Sequence, residues 1–233
     1  MSLHPVTDHA FGPRLIGEVR SDRPLIVAAV EQEAARLDDR FPLLVTGMGK
    51  VNAAAALALT LSGGERPAGI VNLGTAGALK EGLPGGVHEI SRVVQHDLDT
   101  ALLHRISGRV YGAPLTVGAD RGPTLATGDT FVTDSAVRER LALEADLVDM
   151  EGYAVATVAQ HLNIPVRLVK FVSDSADEDA HTTWPEALDH AAGILAGWVE
   201  EHIAPPRTSR RLPRRTRTSV TFTVHPLSAP HAA

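Results

Sequence analysis

The sequence predicts an α/β fold with helices on both faces of a largely parallel β-sheet. Short apolar runs typical of buried strands recur along the chain, helix-forming segments alternate with them, and glycine-containing turns follow several runs. Alternation of this kind indicates parallel strands joined by crossover helices. We expect one domain at residues 23–203, preceded by an extension at 1–22 and followed by a basic, disordered tail at 204–233.

The first half of the domain supplies three predicted strands and two helices. The apolar run at 24–30 predicts a buried strand, and residues 31–37 read as a helix. A second strand at 43–46 ends in a glycine-rich turn. The Ala- and Leu-rich segment 52–61 has high helix propensity. The third strand, 69–73, also leads into a glycine-containing turn.

The second half continues the alternation. Strands are predicted at 87–94, 124–127 and 166–172, and helices at 134–143, 151–162 and 185–202. Asp134 suits the N-cap of the first of these helices. Asn163 and Pro165 end the second, because proline cannot continue a helix. The stretch 97–122 has no clear period and reads as extended segments and loops.

Composition excludes several classes of chemistry. The 233 residues include no cysteine, so disulfides, thiolate catalysis and cysteine-ligated metals are ruled out. No stretch holds the roughly 18 consecutive apolar residues that a membrane span requires. The first residues lack the basic and apolar regions of a secretory signal. We therefore expect a cytoplasmic protein with no membrane partner.

The net charge of −6 is unevenly distributed. Six arginines lie in the tail, which has no acidic residue, so the rest of the chain holds 16 basic against 28 acidic residues. An acidic body argues against nucleic acid as a partner. The arginine-rich tail reads as a disordered extension.

Five residues of interest follow predicted strands. They are Glu33, Gly47, Thr75, Phe131 and Asp174. Ligands of parallel α/β sheets bind beyond the carboxyl ends of the strands. We expect these residues to meet at one edge of the sheet and to form a single site.

Two carboxylates at strand and helix ends suit the cleavage of a nucleoside. Glu151 opens a predicted helix, where the helix dipole favours the ionised form, and an ionised carboxylate can accept hydrogen bonds from a ribose diol. Asp174 ends an apolar strand, where partial burial raises the pKa of a carboxyl group and makes it a general acid. Either residue alone could instead have a purely structural role, Glu151 in the first turn of a helix and Asp174 as a turn residue.

The remaining candidates are weaker. Glu33 could deprotonate an attacking water, although its position alone favours a surface helix residue. The turn at residues 47–50 lacks the glycines of a P-loop or a dinucleotide fingerprint. His96 and Asp97 have no second histidine at metal-binding spacing, and Asp174, Asp177 and Asp179 lack the glycine and distal glutamate of a calcium loop. We therefore expect no metal and no organic cofactor.

Seven segments in order resemble one enzyme family. They are Ala29-Val30-Glu31-Gln32-Glu33, the turn and helix start at 46–54, Val71-Asn72-Leu73-Gly74-Thr75-Ala76-Gly77, His96-Asp97-Leu98-Asp99, Thr127-Gly128-Asp129-Thr130-Phe131, Asp149-Met150-Glu151-Gly152 and the stretch 172–177. The chain resembles the nucleoside phosphorylase and nucleosidase superfamily, most closely its methylthioadenosine/S-adenosylhomocysteine nucleosidase branch. The resemblance implies a three-layer α/β/α sandwich around a mixed, mostly parallel sheet, and a homodimer.

The resemblance also implies roles for individual residues. Glu33 would activate water and Asp174, supported by Ser173, would protonate N7 of a 6-aminopurine. The substrate-binding residues would be Glu151 and Met150 at the ribose, Phe131 and the Val132 backbone at the base, and Thr75 and Gly77 in the glycine-containing turn. The resemblance therefore implies a small-molecule purine nucleoside as the partner.

Hydrolysis and phosphorolysis are distinguished by the anion site. Phosphorylases of the superfamily usually have an arginine near the position of Asn72, and a phosphate without arginine is poorly neutralised. We therefore expect a hydrolase that releases free base and a ribose derivative. A purine nucleoside phosphorylase and a non-catalytic nucleoside sensor remain the alternatives. The loop at 117–124 is shorter than in the nucleosidase branch, which leaves the 5′ substituent open.

Overall fold

The structure, a computed structural model, describes residues 12–83, 85–203 and the backbone of 219–220. The strands of this part are β1 Arg14–Ile16, β2 Leu25–Ala28, β3 Leu43–Val45, β4 Ile70–Ala78, β5 Val87–Glu89, β6 Arg92–Gln95, β7 Leu115–Thr116, β8 Thr124–Thr127, β9 Leu147–Asp149, β10 Val166–Asp174 and β11 Ser219–Val220. The helices are α1 Lys50–Leu61, α2 Thr100–Ser107, α3 Ser135–Leu141, α4 Gly152–His161 and α5 Ala180–His202, with a short 3-10 helix at Glu31–Ala34.

The sheet is mixed, with two parallel groups joined by an antiparallel contact. The first parallel group is β3-β2-β4-β10 and the second is β6-β8-β9. The end of β4 pairs antiparallel with β9 and so connects the groups. The strands β1, β5 and β7 add antiparallel neighbours. This α/β architecture confirms the predicted fold class.

Alternate residues of β2 show why the fold has three layers. Leu25 and Val27 belong to a core that includes α1 and α4, whereas Ile26 packs in a second core with residues of α5. Successive side chains of a strand point to opposite faces. Each face of the sheet therefore buries its own apolar helix surface, as the continuous apolar run predicts.

The pairing of β4 opens the sheet at one place. Along one edge β10 accompanies β4 from Ile70 to Gly77. Along the other edge β2 covers only Ile70 to Asn72, and β9 begins at Gly77. Residues 73–76 therefore have no strand beside them on that edge, and the Glu33 side chain fills the gap through Thr75. The gap becomes the base of the candidate site.

Several elements differ from the sequence-based expectation. The predicted helix at 31–37 is a four-residue 3-10 helix, and the single strand at 87–94 is two strands. The loop-like stretch 97–122 contains α2, which Asp99 caps by accepting a hydrogen bond from Leu102 N at 2.8 Å. That helix is only eight residues long and buries none of them, so its few apolar residues give a short signal that is hard to distinguish from a loop. The three-residue β9 was also not predicted.

The chain ends differ in how much the structure describes. Within the segment 1–22, Arg14–Ile16 pairs with β3 and with the backbone of Ser219–Val220. The rest of the predicted tail lies outside the described residues, so the domain boundaries remain a prediction. No helix in the described ranges combines the length and apolarity needed to traverse a lipid bilayer.

Candidate active site

One cavity lies at the carboxyl ends of the parallel strands. Its walls include eight of the ten residues predicted for the site: Glu33, Thr75, Phe131, Val132, Met150, Glu151, Ser173 and Asp174. Further lining residues are Ala29, Val30, Met48, Ala76, Thr130, Val148, Asp149 and Trp184. Its volume is about 60 Å³. The structure thus brings three predicted acidic side chains to one space.

Glu33 is buried and surrounded by hydrogen-bond donors. Its Oε1 accepts hydrogen bonds from Thr75 N at 2.8 Å and Thr75 Oγ1 at 3.0 Å, and its Oε2 from Ala29 N at 3.1 Å and Val30 N at 3.4 Å. Only 4% of the residue is exposed. The reading of Glu33 as a surface helix residue is therefore wrong, because the 3-10 helix turns this side chain under the sheet gap.

Glu151 lies just before α4 and is also buried. Its Oε1 accepts a hydrogen bond from Gly49 N at 2.7 Å, at the start of α1. Burial and the neighbouring Asp149 raise its pKa to about 8, against the lowering effects of Lys170 and Gly49 N. This raised pKa opposes the expectation that the helix start keeps Glu151 ionised, because desolvation outweighs the dipole.

A buried ion pair beside the cavity was not predicted. Lys170 on β10 is 1% exposed, and its Nζ lies 2.9 Å from Asp149 Oδ2. Burial by itself lowers the pKa of Lys170, but the carboxyl groups of Asp149, Glu151 and Glu33 outweigh burial and raise it. Asp149 also accepts hydrogen bonds from Thr127 Oγ1 at 2.6 Å and Gly152 N at 2.8 Å.

We call Glu33, Asp149, Glu151 and Lys170 the buried charge cluster. A lysine within the apolar run of a buried strand could have indicated Lys170 in the sequence, since an unpaired charge is rarely buried. The sequence could not indicate its partner, because Asp149 lies on a strand that was not predicted.

Asp174 lines the cavity at the end of β10. Its Oδ2 accepts a hydrogen bond from Ser173 Oγ at 2.7 Å and its Oδ1 from Ala176 N at 2.9 Å. Burial raises its pKa, although these hydrogen bonds oppose the rise. This direction agrees with the sequence-based expectation of a general acid.

Gly47 and Gly77 are the two predicted site residues that do not line the cavity. A Cβ atom on Gly77 would lie 2.9 Å from Asp174 Oδ1 and 2.9 Å from Ala176 Cβ. The pairing of β4 with β10 shifts register at this level. Gly77 therefore gives the aspartate room rather than contacting a ligand directly.

The open side of the cavity carries apolar side chains. Met48, Phe131 and Trp184 form this apolar rim, and Met48 and Phe131 are 51% and 40% exposed. The rings of Phe131 and Trp184 meet edge to face at 6.1 Å. Trp184 was not predicted, because the helix was expected to begin at Pro185 and the structure begins α5 at Ala180. A tryptophan in the short segment between β10 and the predicted helix start was the sequence feature that could have indicated this residue.

Comparisons with known proteins agree with this geometry. Residues 34–203 match the family model described as Phosphorylase superfamily. The 5'-methylthioadenosine/S-adenosylhomocysteine nucleosidase of Bacillus subtilis (strain 168) is 33% identical over 173 residues, which cover 64% of this chain and 74% of the relative.

Solved structures give the same fold. The Helicobacter pylori nucleosidase of that name aligns with a TM-score of 0.67 at 21% identity and covers 79% of this chain and 98% of its own. The H. pylori futalosine hydrolase aligns with a TM-score of 0.65 at 21% identity, over 76% and 95% of the two chains. Together with the family match over the domain, these similarities show that the chain belongs to the Phosphorylase superfamily.

Proposed function

We propose that this protein hydrolyses the N-glycosidic bond of a purine nucleoside of the adenosine type and releases the free base and a ribose derivative. One observation carries the proposal: Glu33, Glu151 and Asp174, from three distant parts of the chain, line one cavity. The B. subtilis relative is named a nucleosidase for methylthioadenosine and S-adenosylhomocysteine. That name supports an adenosine-type substrate here.

Asp174 serves as the general acid in this proposal. Its pKa is raised by burial, which favours the protonated form that a general acid needs. A proton delivered to N7 lets the purine depart as a neutral molecule. Ser173 holds the Oδ2 atom of this acid and fixes the orientation of the carboxyl group.

Glu151 and Met150 contact the sugar in this proposal. A carboxyl group that accepts hydrogen bonds from the ribose hydroxyls is stabilised in its ionised form. The pKa of Glu151 is about 8. Ribose binding near neutral pH would therefore release the proton of the Glu151 carboxyl group. The exposed ring of Phe131 offers a face for the base, next to the buried Val132.

Glu33 receives a proton from the attacking water. The water oxygen bonds to C1′ while the bond from C1′ to the base breaks and leaves its electron pair on the base. The proton of Asp174 balances that electron pair, and the proton taken by Glu33 returns to solvent. The transition state resembles an oxocarbenium ion, as in other glycosyl transfers.

The cavity walls favour water over phosphate as the nucleophile. No arginine, lysine or histidine is among the described residues that line the cavity, whereas four carboxyl groups are. An anion there would be repelled and would lack a cationic partner. A phosphorylase is the second candidate, because the family model takes its description from phosphorolysis.

A nucleoside panel tests the function. Purified protein is incubated with 5′-methylthioadenosine, adenosine and inosine, with and without phosphate, and the base and sugar products are identified. Release of adenine and free sugar without phosphate is expected. Sugar phosphate formed only with phosphate present would establish a phosphorylase, and binding without turnover a sensor.

Substitution of the acid tests the mechanism. Asp174→Asn keeps the shape of the side chain but removes the proton donor, so turnover should fall by roughly 10²–10⁴-fold. Asp39→Asn, at an exposed position outside the cavity lining, is the matched control and should stay near wild type. Unchanged turnover in Asp174→Asn would contradict the assignment.

We also propose that the protein acts as a homodimer in the cytoplasm. The apolar side chains Val51, Leu102, Ile106, Val110 and Tyr111 are exposed. Three of them lie on α1 and α2, and an ion pair joins Lys50, the first residue of α1, to Asp97, which precedes α2. A second copy of the chain would cover this surface. Light scattering of the wild type against Ile106→Glu tests the assembly.

A further inference from the structure

A chain of two hydrogen bonds joins Trp184 of the apolar rim to Glu33, the proposed catalytic base. Trp184 Nε1 donates to Thr75 Oγ1 at 2.8 Å, and Thr75 Oγ1 donates to Glu33 Oε1 at 3.0 Å. The direction is fixed, because an indole N–H can only donate and a carboxylate can only accept. Trp184 therefore holds the hydroxyl hydrogen of Thr75 on Glu33.

In this arrangement Glu33 has no acceptor position left for water. A carboxylate offers about four lone-pair sites, and Glu33 receives four protein donors: three backbone N–H groups and the Thr75 hydroxyl. The backbone donors are fixed by the strands and turns that carry them. The hydroxyl can rotate, so it is the donor that can leave without moving the fold.

The cavity is also too small for the proposed substrate. Its volume of about 60 Å³ compares with roughly 300–1,000 Å³ for sites that bind small molecules. A nucleoside can enter only if part of the wall moves. The β-strands that carry Thr75, Asp149 and Asp174 are held by their ladders.

Trp184 is attached to a part of α5 that can move more easily. Pro185 lies inside the helix directly after it. Proline has no N–H, so the carbonyl of His181 receives no hydrogen bond from residue 185. The turn that carries Trp184 is therefore less firmly joined to the rest of α5.

We propose that Trp184 is a positioning residue that keeps Glu33 fully hydrogen-bonded until a nucleoside displaces the indole. Once the indole leaves, the Thr75 hydroxyl turns to another acceptor, and Oε1 of Glu33 gains a free position for the attacking water. This inference rests on the proposed hydrolysis. It assigns two roles to one tryptophan: its displacement opens the cavity and frees the Glu33 carboxylate to act as the catalytic base.

The indole resonances of the protein test the proposal. The chain has two tryptophans, and Trp198 stacks on His202 near the far end of α5, about 21 Å along the helix from Trp184. Trp184→Phe and Trp198→Phe assign the two indole N–H peaks in a proton–nitrogen correlation spectrum. Thr75→Val shows where the Trp184 peak lies when its acceptor is absent.

Formycin A is the probe, because its carbon–carbon glycosidic bond cannot be hydrolysed. When it binds the wild type, the Trp184 indole peak should move in the direction that Thr75→Val gives, and the Trp198 peak should stay in place. In Thr75→Val, which has no such bond to lose, saturating formycin A should move the Trp184 peak by a smaller amount.

Turnover of 5′-methylthioadenosine by the same wild-type sample distinguishes a failure of the proposed hydrolysis from a failure of the role assigned to Trp184. Turnover together with the Trp184 shift supports both. Turnover with an unmoved Trp184 peak at saturating formycin A overturns the role of Trp184 and leaves the hydrolase intact. No turnover of any nucleoside in the panel overturns the proposed function and the role of Trp184 with it.

Discussion

The two sides of the cavity are built in opposite ways. The buried charge cluster joins Glu33 to residues on or next to β9 and β10, is 1–7% exposed, and is held by the ion pair between Lys170 and Asp149 and by backbone hydrogen bonds. The apolar rim comes from turns and from the first turn of a helix, and two of its three residues are 40% or more exposed. The cluster is fixed by the sheet, whereas the rim is fixed by few contacts.

This difference separates the residues that serve catalysis from those that control entry of the substrate. Charged groups in a poorly hydrated site interact strongly only if they are held at fixed distances, which the strand ladders provide. A substrate must also enter and leave, and weakly attached segments allow such movement at low cost. We expect substitutions in the cluster to alter stability and ionisation, and substitutions in the rim to alter binding.

Lys170→Met should have the largest effect. It leaves Asp149 buried without its cation, and breaking a buried ion pair costs about 3–5 kcal/mol of unfolding free energy. Urea denaturation measures the loss. Lys80→Met is the matched control, because the pair of Lys80 with Asp146 is partly exposed and should contribute about 0–1 kcal/mol.

The double variant Lys170→Met with Asp149→Leu sharpens this result. Removal of both charges should recover part of the stability that Lys170→Met loses, since Asp149 no longer stands as a buried charge without its cation. Equal losses for Lys170→Met and Lys80→Met would show that the cluster is no more tightly coupled than the protein surface.

Glu151→Gln should stabilise the protein against unfolding when no nucleoside is added, and the stabilisation should increase as the pH rises. The pKa of Glu151 is about 8 in the folded protein against an ordinary value of 4.5. The stabilisation by its protonated form is complete below about pH 4.5 and is lost as the pH rises through about 8. Glutamine cannot ionise, so it escapes this loss, which amounts to a few kcal/mol at high pH.

Thermal unfolding between pH 5 and 9 measures this difference. The gain in Tm of Glu151→Gln over wild type should be small at pH 5 and should grow toward pH 9. The matched control is Glu144→Gln, at a position exposed to solvent. A gain that is independent of pH would show that Glu151 does not titrate in this range.

Phe131→Ala should have the smallest effect and should act on binding. Loss of an aromatic contact with the base costs about 0.5–1.5 kcal/mol, which corresponds to a KM increase of roughly 2–12-fold. Stability should change little, because the ring is 40% exposed. Steady-state kinetics with Phe131→Tyr as control, which keeps the ring, measures the effect. A large fall in kcat with unchanged KM would place Phe131 in the chemistry rather than in the rim.

The sequence predicted most of this site because its residues follow strands. Glu33, Thr75, Phe131 and Asp174 each come after an apolar run, and the parallel order of those runs brings their ends to one edge. Lys170 and Trp184 escaped prediction for different reasons. Lys170 lies within an apolar run where its partner could not be identified, and Trp184 precedes a proline that was taken as the helix start.

The sequence by itself determined the α/β class, the helices on both sheet faces and the edge at which the carboxyl groups meet, because apolar periodicity and strand order are local properties of the chain. Tertiary structure alone decided which hydrogen bonds those groups receive. Glu33 and Glu151 are both buried glutamates, yet one receives four protein hydrogen bonds and the other a single one from Gly49 N. Donors such as Thr75 and Gly49 lie far from these glutamates along the chain, and only folding brings them together.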